Sequence, residues 1–220
     1  MATFKAIKDA LDGTVNDVVL AAVTGALRRF LRRRGTDLDG LTLRALVPVS
    51  VRADIDRGPL GNRVAAMFAP LPVGLAEPRE QFDAVHAAMG ELKASGQAVG
   101  AQALTGLTGF APPTILSQAA RLEARQRLFN LAVTNVPGPQ FPLYLLGRRL
   151  RAFFPMVPLA ANTALGIAVM SYDGCLGFGL LGDHEALDDL DDLAADLEAA
   201  IAALAAEAGV GRSRPAAAHG

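Results

Sequence analysis

The stretch TALGIAVMSYDGCLGFGLLGD, residues 163–183, decides how this chain is read. Two apolar runs, Thr163 to Tyr172 and Cys175 to Leu181, flank the pair Asp173-Gly174. Asp-Gly tolerates the positive φ angles of a two-residue type I′ turn, so the stretch reads as a β-hairpin. Both arms are apolar at nearly every position, the pattern of strands covered on both faces. The single cysteine, Cys175, falls in the second arm and reads as an inert core thiol. One cysteine also excludes an internal disulfide framework and a Cys-rich metal centre.

Immediately upstream lies FNLAVTNVPGP, residues 129–139. Leu131-Ala132-Val133 reads as a third buried strand, halted at Asn135-Val136-Pro137-Gly138-Pro139. The two prolines remove backbone donors and Gly138 frees the backbone, so the ladder ends there. Asn135 has two readings: the wall of a binding site, or a strand terminator that caps itself.

Working outward, Phe4, Ile7 and Leu11 form a short amphipathic stretch ending at Gly13. Thr14 opens the first long helix with Asp17 three residues on, an Asp variant of the capping box. Val15, Val18, Val19, Ala22, Val23, Ala26, Leu27, Phe30 and Leu31 make its apolar stripe, and Gly35 closes it. Arg28, Arg29, Arg32, Arg33 and Arg34 crowd its last turns, either as a solvated face suited to the helix dipole or as a phosphate or anionic-lipid patch. Residues 43–51 and 64–71 read as strands, with Arg52 at the end of the first and Asn62 before the second. A helix follows Glu77-Pro78, with His86 on the rim of its stripe. Residues 96–111 read as a loop or poorly periodic helix, and 113–126 as a third helix. The last helix is expected from Ala186, its first turns filled by Asp188, Asp189, Asp191 and Asp192, acids that complement the positive helix end. No His accompanies them, which argues against a metal site.

At 220 residues and a formal net charge of −1, the chain fits one domain and offers no general electrostatic case for nucleic acid. Its 51% hydrophobic content and mean hydropathy of +0.30 imply an unusually large core or apolar surface meant for a partner, ligand or membrane. No run reads as a transmembrane span, and the N-terminus lacks the apolar core of a secretory signal, so a cytoplasmic location is expected. The generic catalytic searches find nothing: no GxSxG, P-loop, GxGxxG, HExxH or CxxC. His86, His184 and His219 each look isolated, without an obvious carboxylate partner. The element order argues for an α/β two-layer sandwich of helices on a mixed β-sheet.

Six blocks in order carry a resemblance: TVNDVVLAAVTGALRRFL, VPVSVR, PLGNRV, NVPGP, FPLYLLG and ALGIAVMSYDGCLGFGLLGD. With them the chain resembles the C-terminal half of the bacterial wax ester synthase/diacylglycerol acyltransferase family. The resemblance implies one half of a chloramphenicol-acetyltransferase-like, two-domain acyltransferase. It implies an interdomain linker remnant over 1–13, the acyltransferase domain over 14–209 and a disordered tail over 210–220. In that family an HHxxxDG motif in the other half supplies the general base that lets an alcohol attack an acyl-CoA thioester. This chain contains no HHxxxDG. The expected partners are therefore an HHxxxDG-bearing half, long-chain acyl-CoA and an alcohol or diacylglycerol, with peripheral contact to an anionic membrane. No cofactor is implied. Asn16, Asp17, Arg52, Asn62, Asn135 and Gly138 match the family's motifs and are carried over as tunnel or scaffold residues, not catalysts. The rival expectation is a non-catalytic acyl-lipid-binding or regulatory partner with the same fold.

Overall fold

The computed structural model describes residues 1–50, 64–95, 128–159 and 162–211. Arg52, Asn62, the 96–111 stretch, the 113–126 helix and most of the 210–220 tail lie outside the described residues. Helix α1 (Ala2–Ala10) turns into α2 (Val15–Arg33). The expected capping box opens α2: Thr14 Oγ1 accepts from Asp17 N at 3.2 Å, and Asp17 Oδ2 accepts from Thr14 N at 2.9 Å. Strands β1 (Leu43–Ser50) and β2 (Val64–Leu71) precede α3 (Pro78–Ala94). Then come β3 (Leu131–Val136), a small ribbon of β4 (Tyr144–Leu145) and β5 (Arg148–Arg149), the hairpin β6 (Leu165–Tyr172) and β7 (Cys175–Gly182), and α4 (Leu190–Glu207).

Five strands form one mixed sheet in the order β2-β1-β3-β6-β7. β1, β3 and β6 run parallel in the middle, while β2 and β7 pair antiparallel at the two rims. The helices cover one face. Strand alternation sends Ala45, Val47, Met67, Ala69, Leu131, Val133, Ile167 and Val169 into that layer, against Val19, Val23, Phe82, Met89, Leu193, Leu197 and Leu204. Each fully buried aliphatic side chain there contributes about 1.5–3 kcal/mol. Phe4 and Ile7 of α1 belong to the same core, and the Phe4 ring lies 5.9 Å from that of Phe178.

The opposite face of the hairpin is covered differently. Residues 153–159 run extended across β7 and β6. A Cβ on Gly177 would land on the Phe153 carbonyl oxygen, and one on Gly179 on the Pro155 carbonyl oxygen. A Cβ on Gly166 would meet the Val157 side chain at 2.8 Å. The glycines of LGFGLLG thus admit a backbone where side chains would exclude it.

Two expectations about the hairpin need correction. β6 is buried along both faces except at Met170, but β7 is a half-buried edge strand. Cys175 is exposed rather than a core thiol, because it opens β7 opposite Tyr172 at the turn end of the ladder. The last helix also begins at Leu190, not Ala186. Asp183 Oδ1 accepts from Glu185 N at 2.9 Å and holds residues 183–186 in a separate turn.

Candidate functional site

The three parallel strands finish at one edge of the sheet, and the Asn135–Pro139 turn sits there at the end of β3. It is fastened to the end of β6. Gly138 N donates to Ser171 Oγ at 3.1 Å, and Gln140 Nε2 donates to Ser171 Oγ and to Gly138 O, each at 2.9 Å. Asp173 N donates to Pro139 O at 3.0 Å. Gly138 is required by close approach: a Cβ there would overlap the Ser171 carbonyl oxygen. Asn135 is half-buried, and its amide makes no hydrogen bond among the described residues. No self-capping hydrogen bond is made among the described residues, and β3 ends at Val136, directly before Pro137.

From this turn the chain leads into an exposed apolar surface. Tyr172 Oη accepts from Leu143 N at 2.8 Å and donates to Leu150 O at 2.9 Å, which pins the β4–β5 ribbon to β6. At the ribbon's tip Leu146 has φ +49° and is 95% exposed; Leu145 is 76% exposed. A leucine in the left-handed region is strained, and one in full solvent loses its burial energy as well. Phe141, Tyr144, Phe154 and Met156 are exposed beside it in sequence, along residues 141–156. In the 153–159 segment Pro155 and Val157 alternate with the exposed Phe154 and Met156. The patch is carried by segments that pack on the sheet face away from the helices.

Asn16 and Asp17 form a second group at the start of α2. Asp17 is 1% exposed, with Oδ1 buried and unpartnered among the described residues. His86 Nδ1 lies 2.9 Å from Asp17 Oδ2, and its ring stacks on Phe82 with 6.0 Å between centroids. His86 therefore has the carboxylate partner that sequence inspection did not find, because the two are far apart along the chain. Asn16 is half-buried, and its side chain makes no hydrogen bond among the described residues. No hydrogen bond among the described residues joins this group to Asn135 or Gly138. His184 is exposed in the turn after β7.

The five arginines divide. Arg28 Nη1 donates to Val73 O at 2.7 Å and Gly74 O at 3.0 Å, tying α2 to the end of β2. Arg33 pairs with Asp196 at 2.7 Å, and Arg34 with Asp189 at 2.6 Å. The Asp189 hydrogen bond raises the Arg34 guanidinium above its ordinary pKa and holds Asp189 below the usual carboxylate value. Asp188 and Asp189 precede α4 and pair with Arg34, at 3.7 Å and 2.6 Å, rather than filling the helix's first turns. Only Arg29 and Arg32 make no such contact among the described residues. No cluster of His, Cys, Asp or Glu among the described residues could hold a metal ion. No single helix among them is long and apolar enough to cross a membrane.

Residues 60–205 match the family model described as WS/DGAT C-terminal domain. A putative diacylglycerol O-acyltransferase of Mycobacterium bovis is 36% identical over 197 residues, covering 89% of this chain and 42% of its own length. The solved wax ester synthase/diacylglycerol acyltransferase from Marinobacter aquaeolei VT8 superposes with a TM-score of 0.74 at 30% identity, over 95% of this chain and 47% of that one. The epimerization domain from the third module of tyrocidine synthetase B shares the fold, with a TM-score of 0.60 at 13% identity over 96% of this chain and 47% of that one. This chain spans less than half the length of these proteins, and the family model it matches is that of a C-terminal domain. The ordered blocks from Thr14 to Asp183, the mixed sheet and these likenesses agree: the chain belongs to the wax ester synthase/diacylglycerol acyltransferase family, as its C-terminal half.

Proposed function

We propose that the chain is the acyl-tunnel and support half of a long-chain acyl-CoA:alcohol or diacylglycerol O-acyltransferase, inactive until an HHxxxDG-bearing half docks on it. The observation that carries this is the exposed apolar surface from Phe141 to Met156 on a chain less than half the length of its relatives. Exposed patches of this kind mark docking faces. In this reading the other half's histidine takes the proton of the acceptor hydroxyl, and the alcohol oxygen bonds to the thioester carbonyl carbon. The C–S bond breaks, and the CoA sulfur takes up a proton as it leaves. Acyl-CoA is a substrate here, and the reaction calls for no resident cofactor. Asn135, Gly138, Asn16 and Asp17 shape and support the tunnel and do no proton transfer. The protein works in the cytoplasm, with peripheral contact to an anionic membrane or lipid inclusion.

The test follows CoA release from palmitoyl-CoA with diacylglycerol or a long-chain alcohol. The chain alone should show no turnover, since loss of a general base forfeits about 10²–10⁴-fold in rate. A separately expressed HHxxxDG half should restore turnover, and Leu146→Asp should abolish that rescue. Turnover by the chain alone, or rescue indifferent to Leu146→Asp, overturns the reading.

A further inference from the structure

A small cleft opens on the helical face, between α2, the start of α3 and the C-terminal turns of α4. Gly25, Arg28, Arg29 and Arg32 line it from α2, at the i, i+3, i+4, i+7 spacing of one helix face. Ala76, Pro78 and Gln81 close one side, and Ala200, Ala203 and Leu204 the other. Three arginines line it and no acidic residue does, in a chain whose net charge is −1. Arg28 is held by the carbonyls of Val73 and Gly74, while Arg29 and Arg32 are unpartnered among the described residues.

Two further features shape the cleft. Gln81 is only 3% exposed; its Nε2 is fixed to Leu75 O at 2.8 Å, which leaves Oε1 facing Gly25 with no hydrogen bond among the described residues. Residue 25 is packed closely at the cleft wall: a Cβ there would crowd Ala200 Cβ at 3.1 Å and Gln81 Oε1 at 3.2 Å. The open volume is about 110 Å³. Pockets that enclose a whole small molecule run to about 300–1,000 Å³, so this one takes only a compact head group.

We propose that this cleft is a binding site for a phosphate monoester. Arginines present planar, multi-donor forks that suit phosphate oxygens. Gln81 Oε1 accepts the hydroxyl hydrogen of a singly protonated phosphate or of a hydroxyl beside it. The same chemistry occurs at the head group of phosphatidic acid and on soluble phosphate esters. The site is independent of the acyltransfer reading, since it lies on the face away from the apolar patch.

The experiment titrates this chain with inorganic phosphate by calorimetry, ionic strength being held constant with chloride. Saturable binding should appear with phosphate and not with chloride. The Arg29→Gln, Arg32→Gln double variant should weaken it at least tenfold, and neither side chain holds the fold together. Gly25→Ala, which crowds Gln81 Oε1 and leaves every charge, should weaken it several-fold. Flotation with phosphatidylcholine vesicles, with and without phosphatidic acid, separates the two sources of the ligand. Recruitment by phosphatidic acid that the double variant loses identifies a lipid head group. Phosphate binding without recruitment identifies a soluble ester. No phosphate binding, or binding unchanged in the double variant, overturns the proposal.

Discussion

The imidazole Nδ1 of His86, on α3, meets the buried Oδ2 of Asp17, on α2, at 2.9 Å. The same oxygen accepts the backbone N–H of Thr14. One carboxylate oxygen therefore both caps a helix and joins two helices.

Asp17→Ala should destabilise the fold by about 1.5–3 kcal/mol, the range for hydrogen bonds to a charged group. His86→Ala should cost less, about 0.2–1 kcal/mol, because its side chain is 48% exposed and its half of the pair is solvated. Urea unfolding of both variants checks the order. Equal losses would show that the capping bond contributes nothing beyond the histidine contact.

Asn135→Ala should leave stability within about 0.5 kcal/mol of the parent, since its amide makes no hydrogen bond among the described residues. Its effect should appear in turnover of the reconstituted pair. A loss above 1 kcal/mol in urea unfolding, with turnover unchanged, would return Asn135 to a purely structural role.

Gly179→Ala should cost about 1–3 kcal/mol, the usual range for overpacking, because its Cβ meets the Pro155 carbonyl oxygen and displaces the 153–159 segment. Limited proteolysis should then cut within 153–159 faster than in the parent. Gly174→Ala, in the open turn with φ +79°, is the comparison: strained in backbone but touching nothing within 4 Å, it should leave the segment protected.

The pair of Arg34 and Asp189 gives a pH dependence. The Arg34 hydrogen bond holds the folded-state pKa of Asp189 below its ordinary value. A depressed carboxyl pKa stabilises the fold above the unfolded value, about 3.9, and that contribution is lost as pH falls through the folded value. Asp189→Asn should therefore be less stable than the parent at pH 6, with the gap closing as pH is lowered below about 4. Urea midpoints across that range measure it, and a gap that widens on acidification would contradict the assignment.

What could be read from the sequence was local. The Asp173-Gly174 turn and the Thr14–Asp17 capping box each lie within four residues, and both stand as expected. The β4–β5 ribbon was hidden because its turn places Leu146 at positive φ, where asparagine or glycine is the usual signal. In a hydropathy reading, its exposed Leu145 and Tyr144 look the same as core. The role of Gly177 and Gly179 was hidden too, since only the course of residues 153–159 reveals what a side chain would strike. For the site, the Asn135–Pro139 turn was legible from its prolines. The Asp17–His86 contact was not, because nothing local links two helices that far apart in the chain. The arginine run concealed a division of labour that depends on where β2 ends and α4 begins.

The placement of parallel and antiparallel pairs in the sheet bears on how the chain folds. The β6–β7 hairpin joins neighbours across a two-residue turn, whereas the parallel pairing of β1 with β3 joins Ala45 to Leu131. Closing the long loop costs entropy before any contact rewards it, so the short-range hairpin forms early and the central parallel seam late. Until that seam closes, β1 and β3 carry open backbone edges flanked by apolar side chains. Off-pathway association should therefore concentrate at that seam rather than at the antiparallel rims, whose partners are closer in sequence.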